Sequence, residues 1–535
     1  MPSTASVLAV ALATCAGATA GLTPGLRDEP VVLRRDCPSY LEYSQKPHPP
    51  YSGGPLKLPF QRPSKECRKF TSPAVEKVID DVSSRVVDKD LAQLFRNAFP
   101  NTLDTTVRWH KAGSESNKRA DSQWTGAQSF IVTGDINAEW LRDSTNQLAG
   151  YQLLAKDDKD LYSLILGAIN TQAEFVIESP YCNAFQPPPP SGLQPTDNGQ
   201  KDTVHPPYDS SFVFECKYEL DSLANFLGLG TDFHEHTGST EFLTPRWYHA
   251  LDTLLQVLDE QAQPTFNESG QYVPNEYRFQ RQTTLATETL PLGGNGNPLN
   301  SGVGLLRSAF RPSDDHTIFG YFIPPNAQIA VQLQKTATAI RAASGNAELA
   351  NEVQRRGDDL VRAVWKHGVI NHPQRGEVFA FEIDGYGSQT LMDDANIPSL
   401  LSLPKIGFLD RQNHVYQNTR KMILSADTNP YYMGGSAIHG IGSPHTGFGR
   451  VWPMGRLVQA MTSNSDAEIM ECINSVRDSS LLGLVHESIA VNNITDYTRP
   501  WFAWANSVFA QTILQVAEEK PYLIFGEGAE PYVIG

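Results

Sequence analysis

Residues 133–147 read TGDINAEWLRDSTNQ. Asp135, Glu139, Arg142 and Asp143 fall close together there, with Trp140 among them. The apolar positions Trp140, Leu141, Leu148 and Leu153 recur at roughly helical spacing, so the second half opens a helix. Gly134-Asp135 makes a turn before it, which leaves Arg142 and Asp143 near the helix start. Arginine offers a planar fork of donors and aspartate two acceptor oxygens. A polyhydroxylated ligand uses both. A capped helix with a local ion pair has the same residues, and such pairs are common surface features. Other stretches of the chain decide between the two.

The helical period continues along the chain. Val75, Val78, Ile79, Val82 and Val86 form one stripe, extended by Leu91, Leu94, Phe95 and Phe99. Leu161, Leu164, Ile165, Ala168 and Ile169 form another. Thr244-Pro245 reads as an N-cap with proline at the first helical position, ahead of Trp247, Leu251, Leu254, Leu255 and Leu258. Helices are predicted over 327–343 and 349–364, and Trp501, Trp504, Ala505, Val508, Phe509, Ile513 and Val516 give a last stripe. Strand signals are few: 128–132, and small hairpins over 270–278 and 369–383. Loops 186–207, with four prolines at 187–190, and 293–313 are long enough to expect a functional role. The fold class is all-α, with helix pairs recurring at intervals of roughly 40 to 60 residues. An open solenoid and a closed toroid both fit that pattern. The toroid gathers its loops at one end, where a pocket forms, and the polar, aromatic loops favour it.

The 535 residues are 40% hydrophobic and 19% charged, the composition of a globular protein. A net charge of −16 argues against a nucleic-acid partner, which needs clustered Lys and Arg. Val7 to Ala16 has the length of a signal h-region and Ala18-Thr19-Ala20 the small-x-small cleavage pattern, although MPSTAS carries no basic residue. The expected organisation is a signal peptide at 1–20, an N-terminal arm at 21–70 and a single catalytic domain at 71–535, without a membrane span. Cys37 and Cys67 flank one proline-rich segment, and Cys182 and Cys216 another; we pair each couple and expect Cys472 to be a buried free thiol. Zinc-type Cys and His spacings do not occur. Asn267-Glu-Ser and Asn493-Ile-Thr are glycan acceptor sequons. The chain is expected to be secreted or to reside in the secretory pathway.

Two stretches share the character of 133–147. Residues 208–227, YDSSFVFECKYELDSLANFL, hold Asp209, Glu215, Glu219 and Asp221 among aromatics. Asp221 lies on a partly apolar helix face, where lost solvation raises a carboxyl pKa and suits a general acid. The alternative is a cap or a solvated helix position. Residues 483–506, GLVHESIAVNNITDYTRPWFAWAN, set Glu487 beside Trp501 and Trp504. Tryptophan faces stack on sugar rings, and a carboxylate beside them is a natural base for water. The alternative is that these tryptophans belong to the core, which is expected of one of them. RSAFRPSDD at 307–315, and Asn429 to Tyr432 with His439-Gly-Ile-Gly-Ser-Pro-His445, are further polar loops. Asp-x-Asp occurs at Asp88-Lys-Asp90 and Asp158-Lys-Asp160, a spacing found in metal-dependent sugar transferases, but its charged surroundings favour a solvated helix face.

From about Phe70 to the C-terminus the chain resembles glycoside hydrolase family 125. The motifs are TGDI-x-A-x-WLRDS-x-x-Q, YELDSL, RSAFRPSDD, Gly-Ser-Pro-His and HES…TR-x-WFAWAN, in that order. The resemblance implies an (α/α)6 toroid and an inverting, metal-independent exo-α-1,6-mannosidase without cofactors. Its substrate would be a terminal mannose of oligomannose or mannoprotein glycans; the sequence does not determine the oligomeric state, and a monomer is the expectation. It also implies that Asp221 is the general acid and Glu487 the general base, with Arg142 and Asp143 holding hydroxyls of the terminal mannose. Asp314, Asp315 and His439 extend that binding set. Glu139 departs from the family pattern, where methionine is common, and the insertion at 186–207 is longer. Rival readings are a toroid glycosidase for another sugar, a non-catalytic mannan-binding relative and a mannosyltransferase.

Overall fold

Helix starts divide this fold into two sets. In the computed structural model, which describes residues 37–113 and 119–534, twelve helices have nine or more residues. They are α1 (Pro73–Arg85), α2 (Lys89–Ala98), α3 (Leu141–Ala149), α4 (Lys159–Glu178), α5 (Leu220–Thr237) and α6 (Pro245–Gln261). The others are α7 (Ile323–Ala342), α8 (Ala347–Gly368), α9 (His414–Ile423), α10 (Pro453–Met461), α11 (Asp466–Ser479) and α12 (Ala503–Glu519). Seven of them begin at a side chain that accepts a hydrogen bond from the first turn: Ser72, Asp88, Asp158, Thr244, Asn346, Asn413 and Ser465. The remaining five, α3, α5, α7, α10 and α12, begin at Trp140, Glu219, Phe322, Trp452 and Phe502, whose side chains make no such bond. Asp88 and Asp158 therefore act as helix caps, where the Asp-x-Asp pattern read as a solvated face. Their carboxylates satisfy backbone donors of the first turn.

Burial follows the same division. Every residue from Leu220 to Thr231 in α5, from Ile323 to Leu333 in α7 and from Ala503 to Ala510 in α12 is buried. By contrast α8 buries a single stripe, Ala350, Val353, Gly357, Leu360, Ala363, Val364 and Gly368. A helix apolar all round lies inside, and a striped one faces water. The uncapped helices touch in succession: α3 packs on α5, α5 on α7 and α10 on α12, and α12 returns to α3. Capped helices cover them, with α8 on α7, α11 on α10, α4 and α6 together beside α5, and α2 on α12. Between α7 and α10 the interior position is held by turns at 399–409. Lys405 there donates to Gln511 Oε1 of α12 at 2.7 Å, and Asp393 accepts the Leu400 and Leu401 N–H groups at 2.8 and 2.9 Å.

Short strands brace the helix starts. β1 (Val107–Lys111) pairs with β2 (Gln128–Ile131), and β3 (Glu139–Trp140), β4 (Ala184–Phe185) and β5 (Val213–Glu215) form an antiparallel sheet. β6 (Arg450–Val451), β7 (Ile489–Ala490) and β8 (Asn493–Tyr497) form another. The hairpin expected over 369–383 forms between 369–372 and 376–379. The one expected over 270–278 does not. Arg278–Arg281 pairs instead with Asp202–His205 of the proline-rich loop, where Arg281 bridges Asp202 and Glu215, each at 2.7 Å.

Cys182 and Cys216 form a disulfide, Cys37 and Cys67 are both disulfide-bonded, and Cys472 is buried and free. Ser39 to Gly535 makes one compact unit. Within it, residues 39–70 lie along α1 and α2 through Arg62 Nη1 to Glu76 Oε2 at 2.9 Å and Gln61 N–H to Asn97 Oδ1 at 2.9 Å. The expected signal peptide at 1–20 lies outside the described residues. Among the described residues no helix is long and apolar enough to cross a membrane.

Candidate active site

The starts of α3, α10 and α12 meet at a cavity that opens to solvent, with about 420 Å³ of space when its mouth is included. Each contributes its first flanking residue to the wall, Trp140, Trp452 and Phe502, and α12 adds Trp504. Arg142 and Asp143 enter from the first turn of α3. Asp314, Glu487 and Arg499 come from loops, as do Thr133, Asn396 and His445. Helix N-termini carry partial positive charge, which favours carboxylates nearby.

Arg142 organises one side. Its Nη1 lies 2.6 Å from Glu219 Oε2 and 3.4 Å from Asp221 Oδ2, its Nη2 lies 3.1 Å from Asp143 Oδ2, and its guanidinium sits over the Trp504 ring at 5.3 Å. Lys217 donates to the Asp314 backbone oxygen at 2.9 Å, and Glu219 shares a side-chain hydrogen bond with Asp314. Four carboxyl groups, Asp143, Glu219, Asp221 and Asp314, thus face two cations in a dry site, and like charges so close resist full ionisation. Burial pushes Asp143 and Asp221 up to about 6 against the pull of Arg142. Burial also raises Glu219 well above the usual carboxylate range. Asp314 is half-buried in the cavity wall, and although lost solvation raises it, Lys217, Arg142, His445 and Glu219 together lower it to about 2. Of this pair, Glu219 is pushed toward its protonated form and Asp314 toward its ionised form.

Glu487 occupies another part of the wall. Its Oε2 accepts the Thr498 hydroxyl at 2.7 Å, and its Oε1 lies 3.0 Å from Arg499 Nε. Arg499 also pairs with Asp135. The loop that carries Glu487 is fixed by Asn506 of α12, which bonds both the N–H and the C=O of Val485. His486 points away, stacked on Tyr497, and burial lowers it to about 4, so it is neutral.

Arg142, Asp143, Asp314 and Glu487 line the cavity together. Asp221 does not: it is 0% exposed and sits behind Arg142. Asp315 is also buried behind the wall, accepting from Ser313 Oγ at 3.1 Å. His439 lies on an exposed hairpin strand, 3.6 Å from Glu471, and is not part of the wall. The chain must run on past Gly440 and Ser443 before it turns in, and His445 takes the cavity position instead. Of the two tryptophans, Trp501 packs edge-on to Tyr40 at 5.1 Å and against Gly134, where its ring leaves no space for a Cβ. Trp504 reaches the cavity. Sequence reasoning missed Trp452 and Asn396, and named His445 only as the end of a polar loop, assigning the binding role to His439. Trp452 had a signal, because it precedes a helix-opening proline without being a capping residue, as Trp140 precedes α3.

Thr133 Oγ1, Trp140 Nε1, Arg142 Nε and Trp504 Nε1 are buried without a hydrogen-bond partner among the described residues. Buried donors are ordinarily satisfied. Four of them around one cavity, with carboxyl groups and aromatic faces beside them, match a ligand dense in hydroxyls. Among the described residues no group of three or more His, Cys, Asp or Glu is arranged to hold a metal ion. The site has the chemistry of one that holds a carbohydrate.

Comparison with known proteins agrees. The family described as metal-independent alpha-mannosidase (GH125) matches residues 88–514, and the chain belongs to it. The meiotically up-regulated gene 157 protein of Schizosaccharomyces pombe is 51% identical over 490 residues, covering 91% of this chain and 94% of that protein. A metal-independent α-mannosidase of Streptococcus pneumoniae, solved in a non-productive complex with α-1,6-mannobiose, is 30% identical. It covers 83% of this chain and 98% of its own, with a TM-score of 0.74, and shares the mostly helical architecture with small sheets.

Proposed function

We propose that this α-mannosidase is exo-acting, cleaves α-1,6 links by inversion without a metal, and uses Asp314 rather than Asp221 as its acid. The observation that carries this reading is that Asp314 and Glu487 both line a cavity walled by unpartnered donors, whereas Asp221 is sealed behind Arg142. A general acid must reach the glycosidic oxygen. The proton held on the Glu219 side passes through the Asp314 carboxylate to that oxygen as the C1–O bond breaks, which leaves Glu219 ionised. Glu487 takes a proton from a water that attacks C1 from the opposite face. Two carboxyl groups about 6.5–9.5 Å apart, with water between base and sugar, give inversion, and the family resemblance supports that outcome. Arg142 and Asp143 bind hydroxyls of the terminal mannose. Asp221 helps hold Arg142.

The returning contact of α12 with α3 supports an (α/α)6 toroid in which the turns at 399–409 stand in for one inner helix. The Cys182–Cys216 disulfide supports an oxidising compartment, and hence glycoprotein or oligomannose substrates in the secretory pathway. Release of mannose from α-1,6-mannobiose, followed by NMR, tests the reading. β-Mannose should appear first, at a rate unchanged by a chelator. Initial α-mannose, or no release, overturns it.

A further inference from the structure

The loop at 444–450 connects the cavity to a surface aromatic. His445 and Trp452 both line the cavity, and Trp452 Nε1 donates to Thr446 Oγ1 at 2.9 Å. Between them Phe448 is 83% exposed, the most exposed large hydrophobic side chain among the described residues. It is not loose. Its ring lies nearly parallel to Tyr431, 11° between planes and 6.1 Å between centroids. Gly447 and Gly449 on either side have φ of +74° and +78°, the left-handed region that favours glycine. The loop base is tied by Gly447 N–H to Pro444 O at 3.1 Å and Val491 N–H to Gly449 O at 2.9 Å. Tyr431 is anchored in turn, its carbonyl accepting Gly442 N–H at 2.8 Å. Three residues of chain span at most about 11 Å, so Phe448 stands within that distance of the His445 backbone.

The fold therefore fixes an apolar ring in water beside the cavity that holds the reacting sugar. Nothing in the core accounts for it. Aromatic faces carry negative charge density and attract the positive C–H edges of a neighbouring group, and a pyranose presents such C–H groups on one face. We propose that Phe448, backed by Tyr431, is a stacking platform for the sugar on the leaving-group side of the scissile bond. This inference rests on the mannosidase reading. On that reading the cavity recognises the terminal mannose, and the platform recognises the unit to which it is attached.

Calorimetric binding of a sulfur-linked, non-hydrolysable α-1,6-mannobiose and of free mannose tests it, on the wild type, Phe448→Ala and Phe448→Tyr. Phe448→Ala should weaken the disaccharide by about tenfold, the size of one lost aromatic contact. Phe448→Tyr should restore it, and mannose affinity should be the same in all three. Unchanged disaccharide affinity in Phe448→Ala overturns the proposal, as does an equal loss for mannose and disaccharide. Mannose release is scored separately. A wild type that binds the sulfur-linked disaccharide through Phe448 but cleaves no mannobiose would remove the activity and keep the platform. One that binds no disaccharide overturns both.

Discussion

Asp314→Asn and Asp221→Asn should part company, and the size of the gap follows from where each carboxyl sits. Both substitutions keep shape and remove a titratable proton. Asp314 is in the cavity wall, so its amide faces the leaving oxygen with no proton to give up. General acid catalysis is worth about 10²- to 10⁴-fold, and a sugar leaving group needs all of it. Asp221 supplies the longer of two contacts to Arg142 Nη1, 3.4 Å against 2.6 Å from Glu219. The guanidinium keeps Glu219 and Asp143 when Asp221 is neutralised. The raised pKa of Asp221 shows that its ionised form is already disfavoured by burial, so Asn relieves part of that cost. The expected loss is under about tenfold, as for removal of one weak contact. The assay is kcat on α-1,6-mannobiose beside kcat on α-mannosyl fluoride, whose leaving group needs little protonation. Asp314→Asn should lose about three orders of magnitude on the disaccharide and far less on the fluoride. If Asp221→Asn shows that pattern and Asp314→Asn does not, the acid is the residue behind Arg142 and the cavity assignment is refuted.

Other substitutions probe the buried charges and the disulfide. Burial raises Glu139 to about 8 from 4.5, so the native chain holds a proton that the unfolded chain releases near pH 4.5. The stability this group contributes is whole below that value and declines as the pH rises to about 8, by an amount on the order of 5 kcal/mol. Glu139→Gln should therefore raise Tm at pH 8 and change it little at pH 4, read by thermal melts across pH. Arg142→Ala leaves Glu219, Asp143 and Asp221 without their shared cation and should cost about 3–5 kcal/mol, with mannose binding lost. Arg142→Lys should not restore binding, because a point charge does not replace the fork; calorimetry checks both. Replacing Cys182 and Cys216 by Ser opens a loop with a sequence separation of 34 and should cost about 4 kcal/mol in chain entropy. Activity should fall with it, because the adjoining Asn183 and Lys217 hold Glu219 and the Asp314 backbone.

Much of the helical framework could be read from local pattern. The stripes at 75–86, 161–169, 247–258 and 504–516 are helices, and Thr244 caps α6 as its spacing to Trp247 indicated. Those signals live within one turn of chain. Position around the cavity does not. Asp221 and Asp314 are both acidic residues in polar-aromatic motifs, and only the packing of α3 against α5 reveals that Arg142 seals off the first. Likewise His439 and His445 occur in one short motif, and the hairpin turn decides which faces inward. The pairing of Arg278–Arg281 with Asp202–His205 was hidden for a related reason. Arg281 is drawn to Asp202 and Glu215, which are distant in sequence.

The five uncapped helix starts have a consequence for anyone seeking a hardier variant. A Ser, Thr, Asp or Asn at such a start ordinarily stabilises a helix by about 1 kcal/mol, so five vacancies together approach 5 kcal/mol. That is comparable to the entire net stability of many domains. A thermostability screen would pick these sites first. At Trp140, Trp452 and Phe502 the gain would come from removing a wall of the cavity, and at Glu219 from disturbing a shared proton. Phe322 is outside that set, since it begins α7 without lining the cavity. Its ring is fully buried, 4.7 Å from that of Phe381, so removing it would cost about 3–5 kcal/mol against the roughly 1 kcal/mol that a cap returns.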